Sequence, residues 1–172
     1  YVYDEDGNPI PNAKVEAWHA NTLGNYSFFD ESQPDFNLRR TIITDGDGKY
    51  AFRSIVPLGY SVPPGGMTDQ VLSALGRHGN RPAHIHFFAS AEGMRKITTQ
   101  INIDGDEYLW DDFAFASREG LVPEVTMVDN ADKLKEKGLD KPYASIDFDF
   151  HLLKNSKADV HGSEVARRRA QG

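Results

Sequence analysis

No cysteine occurs anywhere in the chain. Disulfides and thiolate metal sites are excluded, and the composition suits a reducing cytoplasm, which is the location expected. No apolar run approaches the ~20 residues of a membrane-spanning helix, and no signal-peptide pattern opens the chain. Positive charge is not in excess: the formal net charge is -7, which argues against a nucleic-acid or anionic-membrane surface. Long internal repeats, coiled-coil heptads and low-complexity tracts are also missing. What remains is 172 residues, 39% apolar and 26% charged, an ordinary globular composition long enough for one domain with a real core. The first residue is Tyr1, not Met, and it lies inside what reads as a strand, so a fragment or processed form is expected.

Short strands and turns dominate the pattern. Residues 1–3 read as a strand stub and DEDGNPIP (4–11) as a turn. Residues 13–20 alternate apolar and polar, the period of a strand. Residues 39–43 form another candidate strand. TDGDGKYAFRSIV (44–56) reads as a hairpin-like unit with Asp47-Gly48 in the turn and Tyr50, Phe52 and Ile55 available for packing. Residues 83–90 and 96–103 read as adjacent strands around an AEGM turn. Short helices are expected over 69–75 and over 129–138, the second ending at Gly138. Residues 144–153 alternate cleanly and predict a closing strand with Ile146, Phe148 and Phe150 on one face. These elements predict an all-β fold, a two-sheet β-sandwich or barrel with long loops and a few short helices. Residues 1–153 are expected to form the domain. From Lys154 to residue 172 a polar C-terminal tail is expected, with Arg167, Arg168 and Arg169 together, frayed or docked on a partner.

Within RPAHIHFF (81–88) the alternation places His84 and His86 on the same side of a strand, ready to grip one ion. Arg81 sits just upstream on a turn stiffened by Pro82. A bare His-x-His is also well explained by two half-buried strand histidines with satisfied nitrogens. DGDG at 45–48 is no EF-hand: the sixth and twelfth places of such a loop hold Tyr50 and Val56. Asp104, Asp106, Glu107, Asp111 and Asp112 crowd one segment, where a solvated loop is favoured over a third metal ligand or an acid/base pair. A cupin-like site misses because Glu92 comes too late after the histidine pair and no second half follows. A zinc hydrolase wants a third ligand, and neither His78 nor His151 has a spacing that favours it. His19, in WHANT, reads as structural.

Two tyrosines lie in loops, Tyr26 in GNYSFFD and Tyr60 in PLGYSVPP. Taken singly, each fits aromatic packing. Taken with the two histidines, they form a donor set suited to ferric iron. Phenolate is a hard anionic oxygen donor that matches a trivalent cation, and such a cation can hold a phenol of pKa ~10 deprotonated at neutral pH. Two phenolates and one hydroxide cancel three positive charges, leaving a neutral site that tolerates burial.

WHANTLGNYSFFD, PLGYSVPP, RPAHIHFF, TTQINIDGDEYLWDDFAFA and the opening DGNPIPNAKVEAW together resemble the intradiol, ortho-cleaving catechol dioxygenases, from Val2 to about Leu153. The resemblance is closest to the type that acts on catechol itself. It implies a β-sandwich catalytic domain and one non-haem Fe(III) per chain, held by Tyr26, Tyr60, His84 and His86, with Tyr60 and His86 axial. It implies catalytic roles for Tyr60, as base, and for Arg81 and Gln100. Arg81, Phe113 and Ala114 match positions that contact substrate. The implied reaction is ring cleavage of catechol by dioxygen to cis,cis-muconate, in bacterial-type aromatic catabolism, with chlorocatechol or hydroxyquinol as alternative substrates. The family usually carries an N-terminal helical segment that supplies a homodimer interface and holds a phospholipid; nothing in this sequence corresponds to it. From a different class, a transthyretin-like binding sandwich without chemistry would suit the DGNPIPNAKV opening, but Tyr60 with the histidine pair discriminates against it.

Overall fold

The computed structural model describes residues 1–156. Most of the expected polar tail, including Arg167, Arg168 and Arg169, lies outside the described residues.

Alternation builds the central sheet. It is four-stranded and antiparallel in the order β3-β2-β6-β7, from β2 (Lys14–His19), β3 (Arg39–Ile43), β6 (His84–Ser90) and β7 (Ile97–Asn102). Val15 and Ala17 of β2, Ile85, Phe87 and Ala89 of β6, and Ile101 of β7 are all buried in the main apolar cluster. Successive side chains in a strand point to opposite faces, so the intervening residues take the other face. There Trp18, His86 and Gln100 are cross-strand neighbours, and His84 pairs with Asn102. One face of the sheet is core and the other carries polar and aromatic groups.

The core is closed by a parallel pair, β1 (Val2–Asp4) with β10 (Phe150–Leu152). Val2, Phe150 and Leu152 enter the same cluster, with the Phe150 ring 5.2 Å from that of Phe87. Thr44, just after β3, ties the entry to β2 in place. Its buried hydroxyl accepts from the Ala13 N–H at 2.8 Å and donates to the Ile10 carbonyl at 2.8 Å. Two further pairs complete the strands: β4 (Tyr60–Ser61) with β5 (Asn80–Arg81), and β8 (Val125–Val128) with β9 (Tyr143–Ile146). The helices are short. In α1 (Met67–Ala74) only Leu72 is buried. In α2 (Ala131–Lys137), Asn130 caps the N-terminus and Gly138, with φ at 65°, ends the helix, as its left-handed backbone requires. No helix among the described residues is long and apolar enough to cross a membrane.

The fold is all-β, as expected, but several expected elements differ: Tyr60 and Arg81, read in a loop and on a turn, pair in the β4–β5 ladder. The closing strand over 144–153 is two strands, β9 paired with β8 and β10 paired with β1. The continuous alternation conceals the break because Ile146, Phe148 and Phe150 all still pack into the core. The hairpin over 44–56 keeps its turn, where the Asp45 side chain accepts from the Asp47 and Lys49 N–H groups at 3.0 and 2.9 Å. Its second arm joins no strand ladder among the described residues. Tyr50 and Phe52 pack against the core, whereas Ile55 is exposed.

Phe87 is 1% exposed and Phe29 is 82% exposed, so two truncations test this packing. In urea denaturation, Phe87→Ala should cost about 3–5 kcal/mol, while Phe29→Ala should stay within about 0.5 kcal/mol of the parent. Similar losses for the two would contradict the assigned core face.

Candidate active site

The polar face of the sheet meets two loops. His84 and His86 come from β6, Gln100 and Asn102 from β7, Arg81 from β5 and Tyr60 from β4. Tyr26 lies in the loop between β2 and β3. Tyr60 and Arg81 are register partners in their two-stranded ladder, which fixes their relative position through the backbone. Two glycines let the loops close on each other. A Cβ at Gly59 would lie 2.5 Å from the Arg81 carbonyl oxygen, and one at Gly24, where φ is +79°, would lie 2.8 Å from the Gly59 oxygen and 3.1 Å from the Tyr60 Cβ. Only glycine permits both the close approach and the left-handed turn.

The four aromatic donors named from the sequence converge. His84 Nε2 is 3.0 Å from His86 Nε2 and 3.4 Å from the Tyr26 hydroxyl. The Tyr60 ring centre is 5.3 Å from that of Tyr26 and 5.4 Å from that of His84. His84 Nδ1 donates to the Pro82 carbonyl at 2.6 Å. That bond fixes the tautomer and turns the Nε2 lone pair toward His86, Tyr26 and Arg81. Trp18 stacks on His86 at 4.9 Å and 12°, which holds the second imidazole in its plane.

Arg81 and Gln100 join the same group. Arg81 Nη1 donates to His84 Nε2 at 3.2 Å and Nη2 donates to Gln100 Oε1 at 2.8 Å. Gln100 Nε2 in turn donates to Asn102 Oδ1 at 2.6 Å. The guanidinium's remaining edge lies on Asp112, Nε to Oδ1 and Nη2 to Oδ2, each at 3.2 Å.

Burial sets the protonation states. It lowers the His84 pKa to about 4 against the pull of the Pro82 carbonyl, with the Arg81 charge adding to the drop. His86 falls to about 3, first through burial and then through His84 and Arg81. Both imidazoles are therefore neutral at pH 7, and each keeps a ring-nitrogen lone pair, that of His84 Nε2 facing Arg81. The Tyr26 phenol is pushed well up, by burial and then by Tyr60 beside it. It ionises near neutrality only if a cation compensates the charge.

The remaining candidates sort cleanly. Phe113 and Ala114 follow Asp112 directly; Phe113 is half-buried, its N–H donating to the Asn80 carbonyl at 3.2 Å, and Ala114 is exposed. His19 is a buried structural histidine, bonded to Ala20 O at 2.7 Å and Ser54 Oγ at 2.6 Å. His78 pairs with Asp111 at 3.0 Å and His151 lies against Tyr3. No group of three or more His, Cys, Asp or Glu that could hold a metal occurs among the described residues. A groove of about 660 Å³ beside β3, lined in part by Ala17, His19, Arg39 and Phe52, includes none of the converging groups.

The acidic segment corrects the sequence reading. Asp104, Glu107 and Asp111 are exposed, as a solvated loop requires, but Asp112 is 4% exposed. Burial alone would raise its carboxyl pKa. The Arg81 hydrogen bond, the Ala114 N–H, the Arg81 charge and the Ala116 N–H outweigh it and hold the group below its usual range. Asp106 is half-buried, its Oδ2 accepting from the Ala83 N–H at 2.8 Å, at the start of β6. Sequence reasoning also missed Trp18 and Asn102. Their signal was strand parity, since each falls on the histidine-bearing face.

With this geometry in hand, comparison with known proteins is direct. The family model for dioxygenases matches residues 1–153. The chain is 73% identical over 124 residues to catechol 1,2-dioxygenase 2 of Acinetobacter lwoffii, covering 72% of this chain and 45% of that protein. It is 54% identical over 155 residues to catechol 1,2-dioxygenase of Acinetobacter baylyi, covering 89% and 50%. The crystal structure of wild-type Acinetobacter radioresistens catechol 1,2-dioxygenase superposes with a TM-score of 0.89 at 58% identity, covering 92% of this chain and 51% of that one. The chain thus spans about half the length of the relatives it matches. Over that span, fold and sequence agree on one assignment: the chain belongs to the intradiol dioxygenase family.

Proposed function

We propose that the converging residues form the ferric site of a dioxygenase that cleaves catechol with dioxygen to cis,cis-muconate, with one non-haem iron per chain. Tyr26, Tyr60, His84 and His86 would hold the ion. The observation that carries the reading is the meeting of two neutral imidazoles with two tyrosines on one polar face, His84 Nε2 lying 3.0 Å from His86 Nε2. The donors fit the ion: phenolate oxygen matches a hard trivalent cation, and imidazole suits iron as well. The similarity to catechol 1,2-dioxygenases at 54% and 73% identity supports catechol over chlorocatechol or hydroxyquinol.

Ferric iron, when bound, would supply the charge that keeps the phenols ionised and makes a chelated catechol ring reactive toward dioxygen. The chain's own groups do the rest. The Tyr60 hydroxyl oxygen, as phenolate, is the base that takes a proton from catechol. Arg81 is a permanent cation aimed at the site, and it stabilises negative charge that grows on the ring. Its Nη1–H, now on His84 Nε2, is freed for a substrate oxygen once that lone pair is otherwise engaged. Gln100 holds Nη2 through its side-chain oxygen. Phe113 and Ala114 border the ring. The β1–β10 pair packed on the central sheet supports a two-sheet sandwich. A cytoplasmic homodimer carrying phospholipid on a helical segment rests on family resemblance alone.

Three measurements test this reading. Iron-loaded protein mixed with catechol in air should develop the ultraviolet band of muconate, and its phenolate-to-ferric charge transfer should make it wine-red; an iron-loaded but colourless protein contradicts phenolate coordination. Tyr60→Phe should keep its circular dichroism and lose about 10²–10⁴-fold in kcat; wild-type turnover would remove Tyr60 from the chemistry. Arg81→Ala should lower kcat about 10²–10³-fold and change KM much less, so normal turnover with weaker binding would count against its role.

A further inference from the structure

The Arg81–Asp112 pair is more elaborate than a salt bridge needs to be. The two side chains are 11% and 1% exposed, and both carboxylate oxygens of Asp112 are used twice. Oδ1 accepts from Arg81 Nε at 3.2 Å and from the Ala114 N–H at 3.0 Å. Oδ2 accepts from Arg81 Nη2 at 3.2 Å and from the Ala116 N–H at 3.2 Å. One carboxylate therefore clamps the guanidinium on one side and the loop carrying Phe113 and Ala114 on the other. The same loop is fastened from outside: Arg77 Nη2 donates to the Phe113 carbonyl at 2.9 Å, and its guanidinium lies 4.5 Å from the Phe115 ring centre. Phe115 takes a φ of 52°, a backbone conformation unusual for a bulky residue that its surroundings must hold.

We infer that Asp112 is a positioning residue, which sets the reach of Arg81 into the site and ties that reach to the loop bordering the substrate ring. The inference rests on the functional reading above. Its logic is geometric. Arg81 has three edges to satisfy, and Gln100 and His84 occupy only Nη2 and Nη1. Asp112 is the acceptor for Nε, and without it the planar head is held only by His84 and Gln100 at its two outer nitrogens and by Tyr60 beside it, so its tilt toward His84 is less fixed. Because the two-pronged contact fixes the plane of the guanidinium, a shift of the carboxylate moves the cation and the loop together. Asp112 itself touches neither the histidines nor the tyrosines in any of its bonds.

The test uses Asp112→Glu, which keeps the charge but displaces it by one methylene, and a cycle of Arg81→Ala with Asp112→Asn. In Asp112→Glu, kcat for catechol should fall about 10–10²-fold, with KM changed less than about threefold and circular dichroism unchanged. The relative kcat/KM for catechol and 4-methylcatechol should also shift, because the bordering loop moves with the clamp. In the cycle, Asp112→Asn should cost a comparable factor alone but less than about twofold when Arg81 is already alanine, since it acts through that residue. Wild-type kcat in Asp112→Glu, or an equal loss in both Arg81 backgrounds, overturns the proposal while leaving the functional reading intact. A wild-type protein that does not cleave catechol overturns the functional reading instead. The clamp is then read from melting alone: Arg81→Ala should lower Tm, and adding Asp112→Asn should restore part of it by removing an unpaired buried charge; a further fall in Tm in the double variant overturns the clamp.

Discussion

Everything near the proposed iron site depends on one geometric constraint, the two-residue period of β6. Ile85, Phe87 and Ala89 are buried in the main core, and burial of that face fixes the register of the strand. A slip by one residue would exchange the two faces and send the imidazoles into the apolar cluster. The hydrophobic effect on one side therefore aims His84 and His86 on the other. Neighbouring strands obey the same parity. Register pairing places Trp18 and Gln100 on either side of His86, so stacking on one flank and a hydrogen-bonded chain on the other leave the ring little freedom. Core packing thus aims the two imidazoles, and the Pro82 hydrogen bond and Trp18 stacking then hold them.

The tyrosines lack this support because Tyr26 comes from a loop and Tyr60 from the short β4 outside the central sheet, and their placement relies on backbone contact. Tyr60 is held by its ladder with Arg81, and the Gly24–Gly59 approach presses the Tyr26 loop onto it. The Asn21 side chain turns that loop back on itself, accepting from the Leu23 and Asn25 N–H groups at 2.8 and 3.0 Å, while the Asn21 carbonyl accepts from Leu58 at 3.2 Å. A side chain at Gly24 would push the Tyr26 loop off Tyr60, and one at Gly59 would press on the Arg81 carbonyl across the ladder. These glycines serve the site as directly as the groups they position, though they carry no chemistry.

How much of this could be read from the sequence follows from how local each constraint is. The parity of His84 and His86, the strand at β2 and the stop of α2 at Gly138 are set by residues within a few positions of each other, and all were legible. The division of 144–153 into two strands was not, because alternation is unchanged when a strand leaves one partner for another. Phe148 continues the apolar period across the gap. The burial of Asp112 was equally hidden. Amid exposed neighbours such as Asp111 its composition reads as a solvated loop, and only its bond to Arg81, 31 positions earlier, reverses that. Tyr26 and Tyr60 stand out only through the donor set they complete with the histidine pair and through surrounding motifs that resemble a family. No period in the chain marks them.

Charge explains why the site has the shape it has. Burial holds both imidazoles neutral and keeps the Tyr26 phenol protonated, so these three donors bring no fixed charge of their own into the protein. The fixed charges of the cluster are Arg81 and Asp112, and they neutralise each other at contact distance. A trivalent ion held by Tyr26, Tyr60, His84 and His86 would be balanced by protons leaving the phenols, rather than by carboxylates held ready in advance. Preformed carboxylates would repel one another in a buried site and shift toward protonation, whereas phenols can wait neutral at little desolvation cost. The pairing of Arg81 with a carboxylate turned away from the tyrosines completes this balance. It lets a permanent cation sit beside the two neutral histidines without an unpaired charge in the interior, leaving the proposed metal to set the electrostatics of the donors when it arrives.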